Sequence, residues 1–211
     1  MIDFAPKIFR RLFPSVTFDV PGNSVYLTFD DGPNPRATSK VLAVLNKFGV
    51  KACFFLLGRN AKEYPALVRA IANDGHTIGN HSFNHSNLVF RRKDFVRREI
   101  VLTNEVINEA CGSTPTLFRP PFGFFDLRTL NTIRSLGMRL IHWTNDTRDF
   151  EPHTNETHIG TMAHRIGKGS IILLHDNDAT SDRIESVLPA LIRSLLDRGH
   201  TISPLDERCL N

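Results

Sequence analysis

Residues 44–57 read VLNKFG-VKACFFLL, a helical stretch that ends at a glycine and is followed at once by an apolar run. The same order recurs as VRAIANDG-HTIGN (68–80), TIRSLG-MRLIHW (132–143), GKG-SIILLH (167–175) and LLDRG-HTIS (195–203). Glycine just past a helix end favours a left-handed C-cap. Continuous apolar runs are typical of strands covered on both faces. Alternating units of this kind predict an α/β fold with a parallel sheet, either open or closed into a barrel.

Length and composition indicate one globular domain. The chain has 211 residues, of which 41% are apolar and 23% charged, and this length suits a single sizeable core. No apolar run approaches the roughly 20 residues of a membrane helix, so we expect no membrane span. The start, MIDFAPKIFRRLFPSV, lacks the apolar core and cleavage site of a secretory signal, so the sequence predicts a cytoplasmic location. Nothing in the sequence indicates an oligomeric state.

The cysteines and the charge pattern exclude other classes of protein. Cys53, Cys111 and Cys209 are far apart, and Cys53 lies in the apolar run ACFFLL, so we expect no disulfide scaffold. The basic run within FRRKDFVRREI has valine and isoleucine at helical spacing, which favours a solvated helix face over contact with an anionic polymer. No aromatic interleaving typical of single-stranded nucleic-acid grooves is present, so we expect no nucleic-acid partner.

Ionisable side chains follow five predicted strands. Asp30 and Asp31 end SVYLTF, and His81 follows HTIG. The remaining three strands are followed by Arg119, by Asp146 with Asp149, and by His175. In parallel α/β folds, active sites are built at the carboxyl ends of the strands. This placement indicates an enzyme.

Two segments suggest a metal site with a free carboxylate beside it. Asp30 and Asp31 leave a buried strand together, and Gly32-Pro33 supplies a turn that could aim both at one site. His81 and His85, at positions i and i+4, would lie on one face of a helical turn and reach one cation. With Asp31 they form a His-His-Asp set, and three protein ligands with an open position are typical of catalytic zinc.

Three further segments leave structural and functional interpretations open. RPPFG (119–123) is either a rigid loop or a segment that places Arg119 against a carboxylate and a backbone N–H against an oxyanion. In DTRDF (146–150) the paired acids could equally cap a helix. In IILLHD (171–176), strand alternation turns Leu173 and His175 the same way, so an apolar residue lies beside the histidine.

These motifs, in this order, resemble the NodB-type polysaccharide deacetylases of carbohydrate esterase family 4. They stand here as TFDDGP, HSFNH, RPPFG, DTRDF and LLHD, and the resemblance spans about 180 residues from Ser24 to Pro204. It implies a distorted (β/α) barrel of about seven parallel strands over residues 24–211, preceded by an N-terminal extension over residues 1–23. It also implies a metal-dependent hydrolase that removes acetyl groups from N-acetylated sugars of a poly- or oligosaccharide such as peptidoglycan or chitin.

The resemblance also assigns roles to single residues. Asp30 is expected to be the catalytic base, oriented by Arg119, and His175 the catalytic acid, held by Asp149. The metal ligands would be Asp31, His81 and His85, and the ion one divalent cation, zinc first, with cobalt or nickel as alternatives. The substrate would meet the Phe122 backbone N–H and the side chain of Leu173. One position departs from the family, which usually has tryptophan where this chain has Phe150; phenylalanine keeps an apolar wall but loses the indole N–H.

The resemblance leaves alternatives open. A hydrolase of the same fold could act on O-acetyl groups of xylan or on a cyclic amide, and acetate release from chitin oligomers against acetylxylan would separate these substrates. A catalytically inactive carbohydrate-binding module is a second alternative, which absence of bound metal would favour. Family members that modify cell walls or chitin are usually exported, whereas the sequence predicts no export signal.

Overall fold

Nine strands form the sheet in the part of the chain that the computed structural model describes, residues 12–210. Most of them are the apolar runs that follow a glycine in the sequence. They are β1 (Val16–Thr17), β2 (Ser24–Asp30), β3 (Cys53–Leu56), β4 (Thr77–Asn80), β5 (Leu117–Phe118), β6 (Arg139–Ile141), β7 (Asn145–Asp146), β8 (Ile171–His175) and β9 (Thr201–Ile202).

The strands are parallel, and their order is that of a curled barrel. The sheet runs β1-β6-β5-β4-β3-β2-β8-β7, with β9 paired to the first residues of β2. Strands β2 to β6 are neighbours in chain order, as expected when each crossover returns the chain beside the previous strand. The two ends of this order, β1 and β7, are not paired within residues 12–210, so the barrel is incompletely closed. The predicted distorted parallel barrel is confirmed, with eight strands in its wall.

Seven α-helices lie between Thr38 and Asp197 and cover the outside of the sheet. They are α1 (Thr38–Phe48), α2 (Gly58–Glu63), α3 (Pro65–Asn73), α4 (Lys93–Cys111), α5 (Leu127–Ser135), α6 (Glu156–Ala163) and α7 (Ile184–Asp197). The glycines that were expected to end helices have positive φ, for example 65° at Gly49 after α1 and 77° at Gly199 after α7. None of the helices between residues 12 and 210 has the length and apolarity needed to cross a bilayer.

Alternation along the strands separates two hydrophobic layers. In β3, Phe54 and Leu56 pack in the cluster under the helices, whereas Cys53 and Phe55 pack in the cluster inside the barrel. In β8, Ile172 and Leu174 face the helices, whereas Ile171 and Leu173 face the interior. The predicted direction of Leu173 is therefore confirmed, and it places this side chain on the face that leads to His175.

Part of the predicted N-terminal extension belongs to the sheet. Val16 and Thr17 form β1 beside β6, and Val16 and Phe18 are buried in a cluster with Phe118 and Leu140. The described end of the segment, residues 12–23, is therefore joined to the domain and is not a separate extension. Residues 1–11 of the predicted extension lie outside the described residues.

One glycine allows a close approach between the β1–β2 connection and the start of β8. Gly169 has φ +80°, donates its N–H to the Ser24 carbonyl (2.7 Å) and accepts from the Val20 N–H (3.0 Å). A Cβ atom at this position would lie 2.4 Å from the Val20 carbonyl oxygen. Both the backbone conformation and the available space therefore favour glycine at this position.

We expect Gly169→Ala to lower the free energy of unfolding by roughly 2–4 kcal/mol, because left-handed strain adds to a backbone clash. Gly167→Ala is the matched control, because its Cβ would meet no atom within 4 Å, so we expect a change within about 1 kcal/mol. Urea denaturation of both variants measures the difference. Equal stabilities would contradict the proposed constraint.

Candidate active site

Polar side chains from five strand ends meet at the carboxyl edge of the barrel. Strand β2 ends at Asp30, β4 ends just before His81, and β5 ends just before Arg119. Strand β8 ends at His175, which is the register partner of Asp30, and the segment after β7 supplies Asp149. The structure thus brings together at one edge the strand ends that the sequence placed there.

A tight turn after β2 orients the two adjacent carboxylates. Asp31 has φ 79°, and its carbonyl oxygen accepts from the Asn60 side-chain amide (2.8 Å). The Gly32 carbonyl oxygen accepts from the Leu57 N–H (2.9 Å). Because the chain reverses its direction here, Asp30 and Asp31 both approach His81, with carboxylate oxygens 3.7 Å from its Nε2 atom.

A fully buried arginine fixes the Asp30 carboxylate. Arg119 Nη1 donates to Asp30 Oδ1 (2.8 Å) and to Thr28 Oγ1 (2.7 Å), and Nη2 donates to the His142 carbonyl oxygen (3.0 Å). The guanidinium also lies 4.2 Å from the ring centre of Phe55. These contacts hold one oxygen of Asp30 and leave the other, Oδ2, facing His81.

Asp31, His81 and His85 form a group that can hold a metal ion. One ligand atom from each lies within 4.8 Å of the other two, and His85 Nε2 is 3.3 Å from Asp31 Oδ1. Ligands at about 2.0–2.1 Å from a tetrahedral zinc ion are roughly 3.3 Å apart, so small side-chain movements would complete such a site.

Among the described residues, hydrogen bonds to this group leave its ligand atoms free. The Nδ1–H of His81 donates to the Arg119 carbonyl oxygen (2.7 Å), which directs Nε2 towards the site. The Asn177 amide donates to Asp31 Oδ2 (2.9 Å), which leaves Oδ1 towards the histidines. Burial and the nearby His81 lower the pKa of His85, which favours the neutral imidazole that a metal requires. These outer contacts are the kind that orients metal ligands.

The two histidines converge by a route that differs from the prediction. Residues 81–85 are not helical, so the expected helical turn is wrong. Ser82 and His85 instead have φ of 68° and 58°, and these left-handed residues fold the loop back on itself. The ring centres of His81 and His85 lie 5.2 Å apart.

His175 and Asp149 form a second acid–base pair. The Nδ1–H of His175 donates to Asp149 Oδ1 (2.8 Å), and the His175 backbone N–H donates to Asp149 Oδ2 (2.8 Å). Burial alone would lower the pKa of His175, but the hydrogen bond and charge of Asp149, with Asp30 and Asp31, raise it to about 9. The imidazole is therefore protonated at neutral pH and can act as an acid.

The other acid of the DTRDF segment has a local role. Asp146 Oδ1 accepts from the Arg148 N–H (2.9 Å), which is a turn contact within the segment. Phe150 places its ring edge-on to His175, with centroids 5.3 Å apart and an interplanar angle of 87°. The phenylalanine that departs from the family pattern therefore still forms an apolar wall beside the histidine.

The residues assigned to substrate contact lie at the same edge. Phe122 has φ 60°, its N–H makes no hydrogen bond to another described residue, and its half-exposed ring packs against His85 at 4.6 Å. Leu173 is buried on the interior face of β8, two residues before His175. A cavity of about 390 Å³ opens beside the group and is lined in part by Asp31, His85 and Asn177.

Two neighbours of His175 were not assigned by the sequence. Asp176 is fully buried; its Oδ2 accepts from Thr38 Oγ1 (2.6 Å), and its carboxyl accepts from the Gly32 N–H. Burial raises the pKa of Asp176 well above its ordinary value. Asn177 holds Asp31, as described above. The LLHD motif contained Asp176, but no local pattern indicates that these side chains reach back to the turn after β2.

Comparisons with known proteins agree with this geometry. The profile of the family described as "Polysaccharide deacetylase" matches residues 18–141. The chitooligosaccharide deacetylase of Azorhizobium caulinodans is 36% identical over 195 residues, which cover 87% of this chain and 93% of that protein.

Solved structures share the fold over nearly the whole chain. A peptidoglycan N-acetylglucosamine deacetylase in complex with a naphthyl-substituted N-hydroxybenzamide matches with a TM-score of 0.86 and 33% identity, over 93% of this chain and 94% of that one. A family 4 carbohydrate esterase pseudoenzyme from Bacillus anthracis matches with a TM-score of 0.81 and 28% identity, over 90% of this chain and 66% of that one.

The family profile covers more than half of the chain, and the relative from Azorhizobium is similar over almost its whole length. The chain therefore belongs to the polysaccharide deacetylase family.

Proposed function

We propose that this protein is a metal-dependent hydrolase that removes acetyl groups from N-acetylated sugars of a poly- or oligosaccharide. The observation that carries the proposal is the grouping of Asp31, His81 and His85 within 4.8 Å, with a second carboxylate, Asp30, 3.7 Å from His81. Relatives named for chitooligosaccharide and peptidoglycan N-acetylglucosamine deacetylation support an acetylated amino sugar as the substrate.

The donor set supports a divalent cation, and we propose zinc, with cobalt or nickel as alternatives. Two imidazole nitrogens and one carboxylate oxygen suit zinc and leave a position open. When bound by Asp31 Oδ1 and the Nε2 atoms of His81 and His85, the ion would supply a Lewis acid that lowers the pKa of water and polarises the acetyl carbonyl.

Asp30 is suited to accept the proton of the attacking water. Arg119 holds its Oδ1 atom, whereas Oδ2 faces the metal group. The two side chains pair with each other inside the barrel, where either charge alone would lack a partner. The base is therefore fixed in position and has one oxygen available for the proton.

His175 is suited to protonate the departing amine, and Phe122 to stabilise the oxyanion. An amine cannot leave an amide carbon as an anion at a useful rate, so a proton donor is needed, and Asp149 keeps His175 protonated. The free N–H of Phe122 would donate to the carbonyl oxygen as it gains charge. Leu173 would contact the acetyl methyl group from the barrel interior.

The presence of these groups separates this chain from an inactive module of the same fold. A pseudoenzyme with this fold exists, so membership of the family does not by itself establish activity. Here, both acid–base pairs are present at hydrogen-bond distance, and the three ligand side chains converge. These contacts support a working hydrolase.

Acetate release tests the reaction and the bond that is cleaved. We expect release from chitooligosaccharides or peptidoglycan fragments, loss of release on treatment with a chelator, and recovery on addition of zinc. Acetylxylan serves as the O-acetyl comparison. Release from acetylxylan alone would overturn the N-acetyl assignment, and release that resists chelation would overturn the metal requirement.

Asp30→Asn should lower kcat by at least ~10²-fold, because the base is lost while the three ligands remain. Elemental analysis should show unchanged metal content in this variant, whereas His81→Ala should lose both metal and activity. Asp197→Asn is the matched control, because this exposed carboxylate lies at the end of α7, where the chain returns to the amino end of the sheet. Near-normal activity of Asp30→Asn would show that another group is the base.

Asp149→Asn should shift the alkaline limb of the kcat profile to lower pH. His175 acts in its protonated form, and its pKa is raised to about 9 chiefly by Asp149, so activity falls as pH rises through this pKa. A bound cation would repel the imidazolium and move the alkaline limb to lower pH in both proteins. The effect of the substitution is therefore measured as the difference in pH between the two limbs. An unchanged limb would show that His175 is not the group that titrates.

A further inference from the structure

Exposed apolar side chains cluster beside the candidate active site. Phe90 is 88% exposed, Leu127 65% and Phe124 54%. A single exposed apolar residue on a protein surface needs no explanation. These three, however, come from segments that are bound to one another.

Hydrogen bonds fix Phe90 next to the start of α5. The Phe90 N–H donates to Asp126 Oδ2 (2.9 Å), and the other oxygen of Asp126 caps α5 through the Thr129 N–H (2.8 Å). Leu127 is the first residue of that helix. Phe90 also has φ 61°, a left-handed conformation that is uncommon for an aromatic residue. The loop therefore holds an apolar ring in solvent under some backbone strain.

The cluster continues to the metal group. The ring of Phe124 lies 6.3 Å from that of Phe122, which in turn packs against His85 at 4.6 Å. An apolar strip, defined by the ring contacts of Phe122 and Phe124 and by the chain segment from Phe124 to Leu127, thus leads from a candidate metal ligand to the start of α5.

Cations surround the outer end of this strip. Arg91, Arg92, Lys93 and Arg128 are exposed, and Arg128 Nη1 donates to the Arg91 carbonyl oxygen (3.0 Å). None of the four forms an ion pair with an acid among residues 12–210. Two more exposed arginines, Arg97 and Arg98, follow within the first two turns of α4.

Helix stability does not account for these charges. Arg91 and Arg92 directly precede α4 and Lys93 begins it, where the helix dipole favours negative side chains and disfavours positive ones. Asp94 is the acid of that first turn. The charges are therefore placed against the local preference. Arg91 lies over the Phe95 ring (5.4 Å) and Arg128 interacts with the charge of Asp126, but neither contact supplies an anion to Arg92 or Lys93.

We propose that the aromatic–basic face, defined as Phe90, Phe124, Leu127, Arg91, Arg92, Lys93 and Arg128, binds the surface of an anionic phospholipid membrane. A neutral glycan would not account for the cations. An anionic glycan would not account for Leu127, which has no ring face on which a sugar can stack. An anionic lipid surface accounts for both the apolar side chains and the cations. The apolar side chains would enter the headgroup region, and the cations would pair with the lipid charges.

Docking of this face would place the acetyl-binding edge at the membrane surface. The strip ends at Phe122 and His85, so a substrate held close to lipid would lie within reach of the metal group. This consequence rests on the proposed function, whereas membrane binding itself does not require activity.

Co-sedimentation of the full chain with vesicles tests the proposal. We expect binding to vesicles that contain phosphatidylglycerol, little binding to vesicles of phosphatidylcholine alone, and release by high salt. Each cation near an anionic surface contributes roughly a fivefold factor. Combined substitution of Arg91, Arg92 and Lys93 by glutamine should therefore weaken binding on the order of a hundredfold.

Two matched controls test whether a loss of binding is specific to this face or follows from a change in overall charge or apolarity. Substitution of exposed Lys47, Arg165 and Lys168 by glutamine changes the net charge equally but lies on other elements. The pair Phe90→Ser with Leu127→Ser should weaken binding by at least ~tenfold, whereas Leu196→Ser on α7 should not. Unchanged acetate release from a soluble oligosaccharide would show that the face variants are folded.

Three results would overturn the proposal. The first is equal binding to neutral and anionic vesicles, and the second is equal loss of binding in the face and control variants. The third is the absence of binding to anionic vesicles. If the face variants then abolish retention on a soluble anionic glycan or self-association, the face serves a glycan or a second copy of the chain.

Discussion

The buried ion pair between Arg119 and Asp30 is the constraint on which the site depends. Arg119 extends from the end of β5 across the barrel interior, and its guanidinium binds Asp30 and Thr28 of β2 (2.8 and 2.7 Å). Its carbonyl oxygen accepts from His81, so the same residue also orients a candidate metal ligand. Removal of either charge would leave the other buried without its ion partner, at a cost of about 3–5 kcal/mol. The proposed base, the metal group and the strand ends are thus held by a single side chain and its backbone.

Backbone strain is concentrated around this pair. Six non-glycine residues in the described part of the chain have positive φ, and all but Phe90 belong to the motif segments: Asp31, Ser82, His85, Phe122 and Arg148. Left-handed conformations are unfavourable for such residues and persist where surrounding contacts fix them. Here the contacts are those of the site, such as the Asn60 amide on the Asp31 carbonyl oxygen. The stability of the barrel therefore supports a geometry that the isolated loops would not adopt.

Sequence patterns correctly predicted the features that depend on neighbouring residues. They failed for the features that long-range contacts determine. Apolar runs after C-capping glycines predicted the parallel sheet, and alternation predicted the inward direction of Leu173, because both are set by neighbouring residues. The closure of the sheet into a barrel was implied by the family resemblance. The spacing of His81 and His85 suggested a helical turn, but the loop between β4 and α4 is shaped by long-range contacts that spacing does not encode. Asn177 was missed for the same reason, because its contact with Asp31 joins residues 146 positions apart. The β1 strand was also missed, since two residues carry too little pattern to be recognised.

A shared fold would support the same conclusion for an active and an inactive relative, so the functional argument has to rest on individual contacts. This chain matches a pseudoenzyme with a TM-score of 0.81 and a protein named as a deacetylase with a TM-score of 0.86. This difference is too small to distinguish an active from an inactive protein. What separates the two possibilities is whether each side chain has the partner that its chemical step requires. Asp30 has a cation and an oxygen that faces the metal group, and His175 has an acid that keeps it protonated. Within residues 12–210, no other hydrogen bond uses the ligand nitrogens of His81 and His85. Each of these contacts places a charge or a strained residue where packing alone would favour an apolar one, so the chemical steps account for the set and the stability of the barrel does not.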